Sequence, residues 1–237
     1  LLDGKQKQFI SNFWDAKEVV GSTLKTSKDA DCEMEEELGR KSIPLPPFMK
    51  DVEVALSGGI RLGYLMVWAA QTGGGKSTII NEMIYYWLFN SPYKIGILSL
   101  ELNAGQYQST MLSRHIGVNI NKIPDPEERV NFVKQDWVVE KRKELRESEY
   151  GEPRFSLLDE RDGSLDKVKI QIEKMIKRDN CKVVVIDPIQ DLFESVPLED
   201  QTSFIKWLKN LVKDGITVIA IAHITKGRTE IDRQTGK

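Results

Sequence analysis

The chain has 237 residues, 40% hydrophobic and 30% charged, which suits a globular protein with room for one large domain and an appended arm. Its 34 basic and 36 acidic residues leave a formal net charge of −2, which excludes a strongly basic nucleic-acid binder and confines any such contact to a local patch. No apolar run has the length of a membrane span and no secretory leader is visible. Cys32 and Cys181 stand far apart with no C-x-x-C, which excludes a zinc or disulfide framework and fits a reducing, cytoplasmic setting.

Residues Gly4 to Val20 read as an amphipathic helix with Phe9, Ile10, Phe13 and Trp14 on one side. It is an arm that packs either on its own domain or on a neighbouring subunit. Asp29, Asp31, Glu33 and Glu35 to Glu37 form an acidic run, read as a solvated face or loop. Ser42-Ile43-Pro44-Leu45-Pro46-Pro47 is a stiff, extended connector, because successive prolines disfavour helix. The domain boundary is placed there, with an arm over 1–41 and a domain over 42–237. Gly58, Gly59 and Gly63 then make a turn into Leu65 to Ala70, an apolar run that reads as a buried strand.

Next comes Ala70-Gln71-Thr72-Gly73-Gly74-Gly75-Lys76-Ser77, followed by helical apolar spacing at Ile79, Ile80, Met83 and Trp87 within Thr78 to Phe89. A strand, a glycine-rich turn and Lys-Ser opening a helix is the setting of a phosphate-binding loop. Glycines let backbone N–H groups converge on phosphate oxygens, and the helix N-terminus adds the positive end of its dipole. Gln71, Thr72, Gly73, Gly74, Gly75, Lys76, Ser77 and Thr78 are therefore the candidate nucleotide-binding residues. Lys76 can reach the β- and γ-phosphates, and Ser77 can place its hydroxyl on Mg2+. The usual pattern has glycine where this chain has Ala70. The plainer alternative is a turn that only caps a helix.

Lys94 to Glu101 reads as a second buried strand that ends in a carboxylate. Ala104 to Ile116 is a helix, and its lone His115 has a structural or exposed place rather than a catalytic one. Pro126 to Glu147 reads as one long charged helix with Val130, Phe132, Val133 and Trp137 inward. Phe155 to Leu158 is a short third strand. Gly163-Ser164 opens a helix through Lys177, capped by Ser164, with Val168, Ile170, Ile172 and Ile176 as its apolar face. Lys182 to Asp187 is a fourth strand, apolar and then acidic. Phe204 to Lys213 is a helix, and Ile216 to Ala222 is a fifth strand that ends at His223.

Strands alternating with helices predict an α/β fold, a mostly parallel twisted sheet with helices on both faces. Ligands of such sheets sit beyond the carboxyl ends of the strands. Lys76, Glu101, Asp187 and His223 all fall there, as an ATPase site requires. Read singly, Glu101 could be a surface carboxylate and His223 a satisfied core histidine.

Three strings carry a family resemblance. Leu98-Ser99-Leu100-Glu101 resembles the second motif of DnaB-type (superfamily 4) replicative helicases. Val185-Ile186-Asp187-Pro188-Ile189-Gln190 resembles their Walker B motif. Ile221-Ala222-His223-Ile224-Thr225-Lys226 resembles the third motif, where the family has Gln or, in some phage ring helicases and the Twinkle group, His. The spacing from Gly58 to Lys226 follows the RecA-like helicase domain, and nothing before Ser42 shares the likeness. The resemblance implies a RecA-like P-loop ATPase with an N-terminal helical arm, using ATP (or another NTP or dNTP) and Mg2+. It makes Glu101 the general base and assigns Mg2+ to Ser77 and Asp187. His223 becomes the γ-phosphate sensor, and Gln190 couples nucleotide state to DNA. It implies a homo-hexamer on single-stranded DNA, a possible primase or other replisome partner, no membrane, and the host cytoplasm if the chain is phage-encoded. Two loops would face the ring channel: Asp191 to Ser203, and the one after Ile224 with Lys226, Arg228 and Arg233 as the better DNA contacts. An arginine finger from the next subunit would follow the third motif, beyond Lys237, and without it hydrolysis would be slow. A recombinase, a KaiC-like regulatory ATPase or a nucleotide-dependent loader are the competing readings.

Overall fold

The computed structural model describes residues 25–71, 73–159 and 164–224. The helix expected over Gly4 to Val20 lies outside them. The chain divides into two units, Leu1–Lys41 and Ser42–Lys237. In the first, the acidic run forms helix α1 (Ser27–Leu38), with no buried residue. Thr26 caps it: its hydroxyl accepts from Asp29 N–H, and the Asp29 carboxylate accepts from Thr26 N–H in return.

The second unit opens with the short antiparallel pair β1 (Ser42–Ile43) and β2 (Ile60–Arg61), with helix α2 (Lys50–Ala55) between them. Its main sheet contains β3 (Leu65–Gln71), β4 (Lys94–Ser99), β5 (Phe155–Leu158), β6 (Cys181–Asp187) and β7 (Thr217–Ile224). The strand order is β3-β7-β6-β4-β5 and every pairing is parallel. Such pairing requires crossovers, which helices α3 (Lys76–Asn90), α4 (Ala104–Ile116), α5 (Pro126–Phe132), α6 (Asp136–Arg146), α7 (Leu165–Lys177) and α8 (Leu198–Lys213) supply.

Side chains alternate across the sheet and so build two cores. Val183 and Val185 of β6 pack with Ile80, Met83 and Trp87 of α3 and Met111 of α4. Val184 and Ile186 pack on the opposite face with Val168 and Ile172 of α7 and Phe204 and Leu208 of α8. The result is the expected three-layer α/β architecture. Trp87 also ties the sheet layer to the connector, since its indole N–H donates to the Pro44 carbonyl at 2.7 Å.

Several expectations need correction. Strand β3 is not fully buried: it is an edge of the sheet, and Val67 is 57% exposed. Its apolar sequence matches a central strand, but among the described residues only β7 pairs with it. The helix expected over 126–147 is broken. Turns at Val133 to Gln135 close α5, and Gln135 adopts an extended backbone before α6 begins. That break shifts the helical phase, so Val138 and Leu145 are buried while Val130 and Trp137 are exposed. On α7, Met175 replaces Ile170 on the inner face, and Ile170 is exposed. Helix α8 starts at Leu198 rather than Phe204, because Pro197 precedes it and Glu199 and Asp200 favour its first turn.

Candidate nucleotide site at the carboxyl ends of the strands

Between the end of β3 and the start of α3 the chain turns through three glycines. Gly73 and Gly75 have φ of 78° and 76°, a region that costs other residues strain. Gly74 N–H donates to the Gln71 carbonyl at 3.0 Å, and a Cβ on Gly74 would stand 2.9 Å from that same oxygen. The ammonium of buried Lys76 donates to the carbonyls of Ala70 at 2.6 Å and Gln71 at 2.9 Å. An ammonium has three donors, so one N–H remains for a ligand oxygen. Ala70 sits within β3, paired in register with His223, and has no positive φ. That extended backbone tolerates a methyl group, which explains why glycine is dispensable there. Thr72 lies outside the described residues.

Sheet register brings the other candidates to this loop. Ser99 pairs with Asp187, and Leu100 N–H donates to the Asp187 carbonyl at 3.0 Å, which carries Glu101 just past Asp187. On the other side of β6, Ile186 pairs with Ala220, so β7 runs on and delivers His223 between β6 and Ala70 of β3. Glu101 Oε1 lies 3.5 Å from His223 Nε2. The amide of Gln190, on the 3-10 turn Ile189–Phe193, donates to the His223 carbonyl at 3.2 Å. Gln190 Oε1 and His223 Nδ1 are buried without a hydrogen-bond partner among the described residues. Unpaired buried polar atoms are rare away from functional sites.

Ser77, Asp187 and Glu101 line one narrow cleft. Burial pushes the Asp187 carboxyl up to about 6, and the charge of Glu101 adds to the rise; the Ser77 hydroxyl, His223 and Lys76 pull it back. A carboxylate held this way gains from a cation beside it. Among the described residues no cluster of three His, Cys, Asp or Glu side chains could hold a metal ion by itself. Ser77 and Asp187 are nevertheless two hard oxygen donors in one cleft. That set fits Mg2+, which takes one or two protein ligands and completes its shell with phosphates and water.

Sequence reasoning missed two residues of this cleft, Asn81 and Tyr107. Asn81 had a usable signal, since it stands one helical turn after Ser77. Tyr107 had none, because its helix reaches the cleft only through the fold. His115 is structural, as expected. Its ring stacks on Phe89 at 5.3 Å and lies between the Tyr85 hydroxyl at 3.0 Å and Glu144 at 3.2 Å. Of the two loops expected at a channel, Asp191 to Ser203 is mostly helical. Leu192 is buried, and only Glu194 to Pro197 lie between the 3-10 turn and α8. Lys226, Arg228 and Arg233 lie outside the described residues.

Comparison with solved structures finds 393 matching chains. One is a KaiC-like protein from the hyperthermophilic archaeon Pyrococcus horikoshii, with TM-score 0.51 and 19% identity, covering 78% of this chain and 70% of that one. No curated protein matches. No described helix is long and apolar enough to cross a membrane. The DnaB-like helicase C-terminal domain matches residues 46–235, a span that contains the glycine loop, Glu101, Asp187 and His223, and the chain belongs to that family.

Proposed function

We propose that residues 42–237 form the ATP-hydrolysing motor of a replicative ring helicase, a homo-hexamer that translocates on single-stranded DNA and unwinds duplex DNA. The observation that carries this reading is the meeting of Glu101, just past β4, and His223, on β7, at 3.5 Å on either side of the Asp187 strand and beside the glycine loop. A simple phosphate clamp needs the loop alone; a motor also needs a base and a sensor.

The loop Gly73 to Gly75 cradles the phosphates through the backbone N–H groups that the Gly74–Gln71 bond leaves over, and Lys76 neutralises charge on the β- and γ-groups. Ser77 and Asp187 would hold Mg2+, which would supply positive charge to the phosphates. Glu101 orients the attacking water and accepts its proton as the nucleophile forms. His223 contacts the γ-phosphate and, through its carbonyl on Gln190, passes the change at that group to the loop after β7. Lys226, Arg228 and Arg233 on that loop follow the DNA backbone. Primase or other replisome proteins are the fitting partners, and the cytoplasm, a host's if phage-encoded, is the fitting place.

ATPase assays with and without single-stranded DNA, sizing with nucleotide, and unwinding of a forked duplex test this reading. Stimulated turnover, hexamers and strand separation are expected. Turnover with neither stimulation nor unwinding would point instead to a regulatory ATPase or recombinase, and overturn the helicase assignment.

A further inference from the structure

Tyr107 is 4% exposed, and its hydroxyl hydrogen-bonds Asn81 Oδ1 at 3.2 Å. Both residues line the cleft of Ser77, Asp187 and Glu101, together with apolar Ile84, Ile97, Leu102 and Val185 and with Ser99, whose hydroxyl donates to the Leu102 carbonyl. A tyrosine that served only as core filler would have no need to turn its hydroxyl toward that cleft. Its ring does pack edge-on with Phe155 at 6.4 Å, but the polar end points the other way, to α3. Burial first, and then the charge of Asp187, push its ionisation upward, so the hydroxyl keeps the proton that it donates to Asn81. Asn81 stands one turn after Ser77 on the same helix, with an amide N–H2 to offer as well. The Tyr107 hydroxyl therefore fixes the Asn81 carboxamide through its oxygen and leaves the amide N–H2 as the donor on the wall of the cleft that Ser77 and Asp187 also line.

We propose that Tyr107 and Asn81 are positioning residues for Mg2+·nucleotide: they fix the water and carboxylate oxygens around the cation that Ser77 and Asp187 hold. This inference rests on the reading of that cleft as the Mg2+ side of the nucleotide site. In this role the pair acts through Ser77, Asp187 and the cation they would hold, and not on the phosphates directly.

The test is binding of a fluorescent ADP analogue to the full protein, titrated with MgCl2, together with Mn2+ binding followed by electron paramagnetic resonance. Tyr107→Phe keeps the ring and its packing. It is expected to raise the half-saturating metal concentration about tenfold, the lower end for groups that orient metal ligands. Analogue binding without metal should not change. Asn81→Ala should match it, and the double variant should be no worse than the worse single one. Ser77→Ala is the control and should weaken metal dependence more than either. An unchanged metal titration in Tyr107→Phe and Asn81→Ala, with Ser77→Ala impaired, would overturn the inference and leave the nucleotide site standing. An unchanged Ser77→Ala would overturn both.

Discussion

Glu101, in the bend just past β4 (which ends at Ser99, short of the expected Glu101), and His223 on β7 come from elements that are not neighbours, yet their side chains meet at 3.5 Å across the end of β6. Each therefore senses the other's charge and position. Glu101→Gln should lower ATP turnover by about 10²–10⁴, the usual span for a general base, while leaving nucleotide affinity intact. His223→Ala should lower turnover as well, and the double variant should be less than additive because the two residues touch. Steady-state kinetics on the four proteins checks this. Independent, multiplicative effects would break the pairing.

Lys76 is the buried cation of the glycine loop, fixed by two backbone carbonyls. Lys76→Ala should weaken nucleotide binding by about 2–5 kcal/mol, the range for removing one side of a buried charge contact. Equilibrium binding at constant Mg2+ measures it. An affinity equal to that of the wild type would remove the loop from the site.

The glycines of the loop should differ sharply from Ala70. A methyl at Gly74 meets the Gln71 oxygen at 2.9 Å, so Gly74→Ala should distort the turn and lower nucleotide affinity. Ala70→Gly restores the commoner residue where backbone is already extended. It should leave affinity unchanged and cost up to about 1 kcal/mol in stability, from chain entropy. Binding and thermal melts on both variants separate these outcomes.

Asp187 should show a conflict between function and stability. Its carboxyl is pushed up to about 6 from an ordinary 3.8, so the fold holds the proton more tightly than the unfolded chain does. Stability therefore falls as pH rises between those values and stays lower above them, by on the order of 3 kcal/mol. Asp187→Asn removes that penalty. In EDTA it should melt higher than the wild type at pH 7, with the gain shrinking toward pH 4, and it should lose Mg2+-dependent turnover. Melting curves across that pH range decide it.

The loop and strand-end residues were legible because their signals are local: glycines before Lys-Ser, or an acid closing an apolar run. The parallel sheet was legible for the same reason, since β4, β6 and β7 are short apolar runs between amphipathic helices. What escaped depends on tertiary placement. β3 looks like a central strand in sequence, and only the strand order makes it an edge. Trp137 faces inward only if 126–147 is one continuous helix. The turn at Val133 to Gln135 resets the phase, and three ordinary residues give little warning of it. Tyr107 carries no motif, and its value comes from the helix packing that turns its hydroxyl toward Asn81.

The most direct measurement is ATP turnover by the wild type and Glu101→Gln at matched, saturating Mg2+·ATP, each with and without single-stranded DNA. The expected result is DNA-stimulated turnover in the wild type and loss of turnover in the variant at unchanged nucleotide occupancy. Equal turnover in the two proteins, or a wild-type rate indifferent to DNA, would contradict a DNA-driven motor whose base is Glu101.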